Sequence, residues 1–355
     1  MNRPLAVEVT TTGSAPTRLC LGGEDLDWIG GPAIQTAIDL RVSVTYRREP
    51  ASSALSIRSE GALPAHLTIP AERWCDPTDS ELELVRLCWE YRPAHEGPTS
   101  RVGGDISIQS AAPPSAGLAS SATTCVAALR ALLPSHPAGA MPAAQLVNTA
   151  DHVERVMAGR PVGPMDFVPA AFGGTTLVHS EAERISDVTY LSLTPHARFL
   201  VVDTRTPRDT GAVVAWKRKR FAEREGAIRR YACRMPELVG EQARLLTGEQ
   251  DLDALGETLD AAQALLTDEM HVSTPLIDTC VARLRANGAL GVKLTGTGLG
   301  GCLFALTTAD TDPDQLTACL GDLPVGIHLV RPAPPESSCA VLGERLDRTT
   351  IEGLR

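Results

Sequence analysis

The chain predicts an α+β protein, and three observations carry that prediction. Short alternating or continuous apolar runs, such as those over 105–110, 199–203 and 302–306, read as strands. Longer stretches with apolar residues three and four apart read as helices. Over 143–158, Leu146, Ala150, Val153 and Met157 fall on one face. The two kinds of segment intermingle along 355 residues, enough for two domains or one large one with an ample core.

The elements follow in order. Residues 33–47 alternate in part around Ile34, Ala37, Ile38, Leu40, Val42, Val44 and Tyr46, which ends the stretch as a strand. A cleaner strand, 105–110, feeds a run of small residues and then a helix over 123–133. The helix over 143–158 is stopped by Gly159. Gly173-Gly174 turns into a strand at Thr175–Val178, and 199–203 forms another. Residues 213–250 are charged and mainly helical, with a break expected at Pro236. A helix over 275–286 ends at Asn287-Gly288. Strand 291–294, a glycine turn and strand 302–306 come next, and Arg331–Glu336 is a proline-rich connector. No internal repeat is visible, and a domain boundary falls near 180–198.

Composition narrows the function. The net charge of -10 and an aromatic content of 4% disfavour a nucleic-acid or anionic-membrane binder. The nine cysteines form no C-x-x-C pair and several sit in apolar runs, which suits buried free thiols in a reducing cytoplasm. No apolar run approaches the roughly 18 residues of a membrane span, and the first residues lack a signal core. The expectation is a cytoplasmic enzyme. The eight histidines show no metal-ligand spacing, so no zinc site is expected.

Three segments carry chemistry. The first in weight is Pro113-Pro114-Ser115-Ala116-Gly117-Leu118-Ala119-Ser120-Ser121-Ala122, which opens the helix over 123–133. Small residues admit a ligand close to the backbone. A helix N-terminus aims N–H groups and a positive dipole end at an anion. Two serine hydroxyls add donors for phosphate or a metal. The second segment, Ala15–Gly31, sets Glu24, Asp25 and Asp27 with Arg18 between two glycine pairs, beside Trp28. Ionised carboxylates accept hydrogen bonds from hydroxyl groups. A charged surface turn accounts for such a cluster equally in kind. The third, Gly296–Gly301, matches G-x-G-x-x-G, but a dinucleotide fingerprint must open a helix and here a strand follows at once. An NAD-dependent oxidoreductase therefore requires a helix there, and a hairpin eliminates it. A basic stretch around Trp216–Phe221, with Arg224, Arg229 and Arg230, reads as a solvated helix, a phosphate grip or a nucleic-acid contact.

Taken together, the three segments resemble the GHMP kinase superfamily, whose members include galactokinase, homoserine kinase, mevalonate kinase and phosphomevalonate kinase. The middle motif P-x-x-x-G-L-x-S-S-A is met in full at Pro113–Ala122, and the first segment resembles the sugar-kinase version. The resemblance implies an N-terminal α+β ATP-binding domain (1–190) and a C-terminal ferredoxin-like α+β domain (191–355), with the active site between them. It implies ATP and Mg²⁺, with Pro114, Ser115, Ala116, Gly117, Leu118, Ala119, Ser120, Ser121 and Gly298 around the phosphates and Ser120 and Glu154 on the metal. Glu154 stands one residue farther from Asp166 than in the family pattern. Asp166 resembles the catalytic aspartate that takes the acceptor hydroxyl's proton, and Arg18 the arginine paired with it. Glu24, Asp25, Asp27, Trp28 and Gly174 match acceptor-binding positions. Asp25 stands where galactokinases carry His, Trp28 where they carry Tyr, Thr17 where Gly is usual and Leu299 where the last motif has Gly. The implied function is a sugar 1-kinase of galactokinase type. A cyclitol or sugar-phosphate kinase comes next, and a non-catalytic metabolite binder is the remaining alternative. The implied partner is a small polyhydroxylated substrate, with the chain as monomer or homodimer.

Overall fold

A computed structural model describes residues 9–49, 52–60, 64–91, 103–113, 116–133, 141–181, 183–248 and 250–336. The first half of the chain builds a seven-stranded sheet from β1 (Val9–Gly22), β2 (Gly31–Arg48), β3 (Ala54–Glu60), β4 (Ala65–Pro70), β5 (Gly104–Ser110), β6 (Thr175–Glu181) and β7 (Arg184–Leu191). The order is β4-β3-β5-β2-β6-β7, with β1 also paired to β2. Only β3 and β5 run parallel among these pairs. The short helix α1 (Leu26–Ile29) interrupts the β1–β2 hairpin. Helices α2 (Glu83–Tyr91), α3 (Ser120–Leu132), α4 (Ala143–Asp151) and α5 (Phe167–Phe172) share one apolar core with this sheet, including Leu55, Trp89, Val126, Leu129 and Phe167.

The second half builds a four-stranded antiparallel sheet, ordered β11-β8-β10-β9, from β8 (Ala197–Asp203), β9 (Gly291–Leu294), β10 (Cys302–Thr308) and β11 (Gly326–Val330). Helices α6 (Thr210–Ala222), α7 (Gly226–Thr247), α8 (Leu252–Asp268), α9 (Pro275–Ala286) and α10 (Pro313–Ala318) complete it. Its core joins Phe199, Val201 and Phe304 to Tyr231, Leu259, Ile277 and Leu284, and extends to Leu19, Leu21 and Ile34 of the first sheet. The two halves are thus welded by apolar packing along β1 and β2.

Several expectations change. The charged stretch breaks at 223–225, where Arg224 takes φ 57°, and not at Pro236, which lies inside α7. In that helix the missing proline N–H is one lost ladder bond among many, and packing of Tyr231, Met235 and Val239 outweighs it. Gly296–Gly301 joins β9 to β10 as an antiparallel hairpin, which removes the NAD-dependent oxidoreductase. The connector at 331–336 is a strap laid on the first sheet. Ala333 N donates to Ala37 O at 2.8 Å and Glu336 N to Phe172 O at 2.8 Å. The Glu336 carboxylate lies between Arg41 (3.0 Å) and Arg130 (3.2 Å). Among the described residues no helix is long and apolar enough to cross a membrane.

Candidate active site

A cavity of about 550 Å³ collects residues from distant parts of the chain. Arg18 reaches it from β1, Ser120 and Ser121 from the start of α3, and Asp166 from a 3-10 turn (Pro164–Asp166). Arg208 comes from the loop after β8, and Thr297 from the β9–β10 hairpin. The hairpin and the small-residue run are pressed together. Cys302 N donates to Ala116 O at 2.7 Å, and a Cβ on Gly117 (φ 82°) would lie 2.4 Å from Arg208 Nη2. Glycine at 117 is therefore needed for loop-on-loop contact and for its left-handed backbone. Ala119 (φ 61°) turns the chain into α3, whose N-terminus has no side-chain cap. Its leading N–H groups face an anion-binding role without internal competition. Pro114 and Ser115 lie outside the described residues.

Arg18 is buried and grips Asp166 with two nitrogens, Nε to Oδ1 at 2.9 Å and Nη2 to Oδ2 at 2.8 Å. Its Nη1 donates to Gly117 O, so one guanidinium ties the acid to the small-residue loop. Bidentate pairing fixes the carboxylate's plane as well as its charge.

Glu154 sits on a π-helical turn, His152–Met157, that continues α4. The wider turn directs Glu154 into the cavity. Its hydroxyl partner is Ser121, which donates to Oε1 and accepts from Arg160 Nη1 at 2.9 Å. Burial raises the Glu154 carboxyl above the usual range, against the pull of Ser121 and Arg160. The expected partner Ser120 makes no such bond: its hydroxyl is buried, unpartnered and on the cavity wall. Thr297 Oγ1 is in the same condition. A carboxylate with orphaned hydroxyls beside it suits a hard cation that keeps waters and phosphate oxygens.

The remaining acids behave differently from their sequence reading. Lys293 donates to Glu24 Oε1, and Lys217 donates to Asp25 Oδ2 at 2.5 Å, with both lysines fully buried. Asp25 Oδ1 accepts from Trp28 Nε1 at 3.1 Å. Trp28 meets the edge of Phe221 at 5.7 Å and carries Arg218 over its face, so α6 covers it. Asp27 is buried against Gly163, outside the cavity lining. Gly174 lies under the strap, with its N–H on Pro334 O at 3.2 Å. Gly298 stands behind the wall, its carbonyl accepting from Arg208 at 3.2 Å, while Gly296 and Thr297 face the cavity. Much of the basic stretch is paired within the chain, through Lys217–Asp25, Arg218–Glu183, Arg220–Glu225 and Arg230–Glu269.

Sequence reading does not reach Arg160; it reaches Arg208 within Asp203–Arg208, a stretch expected to face the acceptor. Arg208 Nη1 donates to Gly298 O and Gly300 O, its Nε is buried without a partner, and among the described residues it forms no ion pair. Burial and the nearby Arg18 lower its pKa.

Comparison with known proteins places this geometry. Residues 83–174 match the GHMP kinases N terminal domain and 243–323 match GHMP kinases C terminal. A mevalonate kinase of Aeropyrum pernix is 32% identical over 293 residues, spanning 82% of this chain and 87% of its own. The chain belongs to the GHMP kinases. As a GHMP kinase it is an ATP-dependent phosphotransferase acting on a hydroxyl group, with the two-domain α+β fold of that family. The Methanococcus jannaschii mevalonate kinase structure superposes with TM-score 0.77 at 19% identity, covering 93% of this chain and 99% of that one. A Lactococcus lactis galactokinase complexed with galactose gives 0.74 at 18%, covering 92% and 95%. Backbone likeness alone does not separate the two. Sequence does, and it overturns the sugar 1-kinase and cyclitol or sugar-phosphate readings. The physical reason lies in the first segment. The acids read as sugar-hydroxyl ligands are bound to buried lysines or turned behind the wall.

Proposed function

We propose that this GHMP kinase phosphorylates mevalonate. The observation that carries the reading is Arg208, a half-buried guanidinium on the cavity wall that makes no ion pair among the described residues, with Arg18 nearby and Asp203 acting on it only from a distance. A half-buried cation gains from a counter-charge, and an acceptor bearing a carboxylate supplies one where a neutral polyol does not. The name carried by the 32% identical relative points the same way.

In this reading Asp166 accepts the proton of the acceptor hydroxyl. Arg18 holds that carboxylate's plane and offsets charge as it develops. Backbone N–H groups at the start of α3 hold phosphate oxygens, and Glu154 with Ser121 and Ser120 holds Mg²⁺. Bound Mg-ATP supplies the γ-phosphoryl group, whose bond to ADP breaks as its bond to the acceptor oxygen forms. A cytoplasmic location and a domain boundary at 190/191, at the end of β7, are part of the same proposal.

The test is ADP release from Mg-ATP with (R)-mevalonate, homoserine, phosphomevalonate and galactose. Turnover on mevalonate, abolished by EDTA, supports the proposal. Arg208→Ala should raise KM for mevalonate by roughly 10–100-fold, the worth of a lost charge-assisted pair, and leave KM for ATP within twofold. Turnover on a neutral polyol with none on mevalonate would sink it.

A further inference from the structure

Asp166 is held on one side by Arg18. The other side of its turn is held by a second acid. Asp27, on α1, is 4% exposed and does not border the cavity. The Met165 backbone, one residue before Asp166, lies close enough to favour the charged form of the Asp27 carboxylate. The same carboxylate packs on Gly163 so closely that a Cβ there would fall 1.6 Å from Oδ2 and 2.3 Å from Cγ. Gly163 has an ordinary extended backbone, φ -86° and ψ 159°, so space and not conformation demands glycine. The turn that carries the base is thus seated on Asp27.

We propose that Asp27 is a positioning residue: by fixing the 163–166 turn it sets where the Asp166 carboxylate stands in the cavity. Arg18 fixes the plane of that carboxylate, and Asp27 fixes the backbone from which it projects. Neither alone does both, because a bidentate pair can travel as a unit if the turn moves. Displacement of a base by about 1 Å is enough to cost on the order of 10²-fold in rate.

This inference rests on Asp166 being the base, and the experiment separates the two. Wild type, Asp166→Asn, Asp27→Ala, Asp27→Asn and Gly163→Ala are compared for turnover on Mg-ATP and (R)-mevalonate. Asp27→Ala should lose roughly 10–100-fold in kcat with KM for ATP within about twofold. Asp27→Asn keeps an oxygen beside Met165 and should stay within roughly threefold of wild type. Gly163→Ala, which pushes the carboxylate off the turn without removing it, should resemble Asp27→Ala. The Asp27→Ala/Gly163→Ala double variant should be no worse than either alone. Wild-type kcat in Asp27→Ala, or equal loss in Asp27→Asn and Asp27→Ala, overturns the proposal. Full activity in Asp166→Asn refutes the base and not the clamp. Crystal structures of Asp27→Ala and Asp27→Asn give a readout independent of substrate. The Asp166 carboxylate should be displaced in the first and in place in the second, and an undisplaced Asp166 in Asp27→Ala overturns the proposal.

Discussion

Asp27 is an acid placed where water does not reach. Burial, then the charges of Asp166 and Asp25, push its pKa to about 7. The cations nearby do not relieve it, because Arg18 is bound to Asp166 and Lys217 to Asp25. The native chain therefore keeps a proton that the unfolded chain has already released. Stability falls as pH rises from about 4 through about 7, by up to about 4 kcal/mol, and levels off above that. Asp27→Asn should remove this slope, measured by urea unfolding at pH 5 and pH 8. A difference between the two pH values that is the same in wild type and variant would contradict the assignment. At Asp166 the loss is one of chemistry and not of folding. Asp166→Asn should cost roughly 10²–10⁴-fold in kcat while ATP still binds, as titration calorimetry would report.

At the scale of elements, two devices aim the cavity's walls. The π-turn over His152–Met157 delivers Glu154 to Ser121. Glu154→Gln should raise the Mg²⁺ concentration for half-maximal rate by roughly tenfold or more, with KM for mevalonate little changed. Helix α6 begins on the cavity at Thr210 and Gly211 and is anchored one face away by Lys217 on Asp25. Lys217→Met leaves Asp25 buried with its charge uncompensated, so the variant should lose about 3–5 kcal/mol in chemical denaturation. Adding Asp25→Asn should recover part of it, since asparagine tolerates the left-handed backbone there (φ 67°) and no longer brings a charge. The sequence made the first device half legible. Gly, Ala and Ser at fixed spacing announce a close approach locally, but nothing in the 143–158 pattern announced the π-turn. It could not announce the second, because Asp25 and Lys217 lie 192 positions apart and neither residue type marks its partner. Glu24 and Asp25 of the first segment were misread for the same reason. A carboxylate looks available until the cation that occupies it is seen.

For the whole molecule, the α+β class and most long helices were legible because their periodicity is local. The break at 223–225 was not, since packing of α7 kept Pro236 inside a helix and no strong punctuator marks Arg224. The strap was read as a plain connector because proline-rich segments carry no pattern that names the surface they will lie on. In the structure Glu336 ties that surface to Arg41 and Arg130. Glu336→Ala should cost about 1.5–3 kcal/mol in urea unfolding, and an unchanged midpoint would show that the strap is held by its backbone bonds alone. Its path has a mechanical consequence. The chain leaves the first sheet after Leu191 to enter the second at Ala197, and it comes back after Val330 to lie along β2 and α5. The two halves are therefore laced twice by covalent chain across the apolar seam of β1 and β2, so any relative movement must strip that seam and bend both crossings at once.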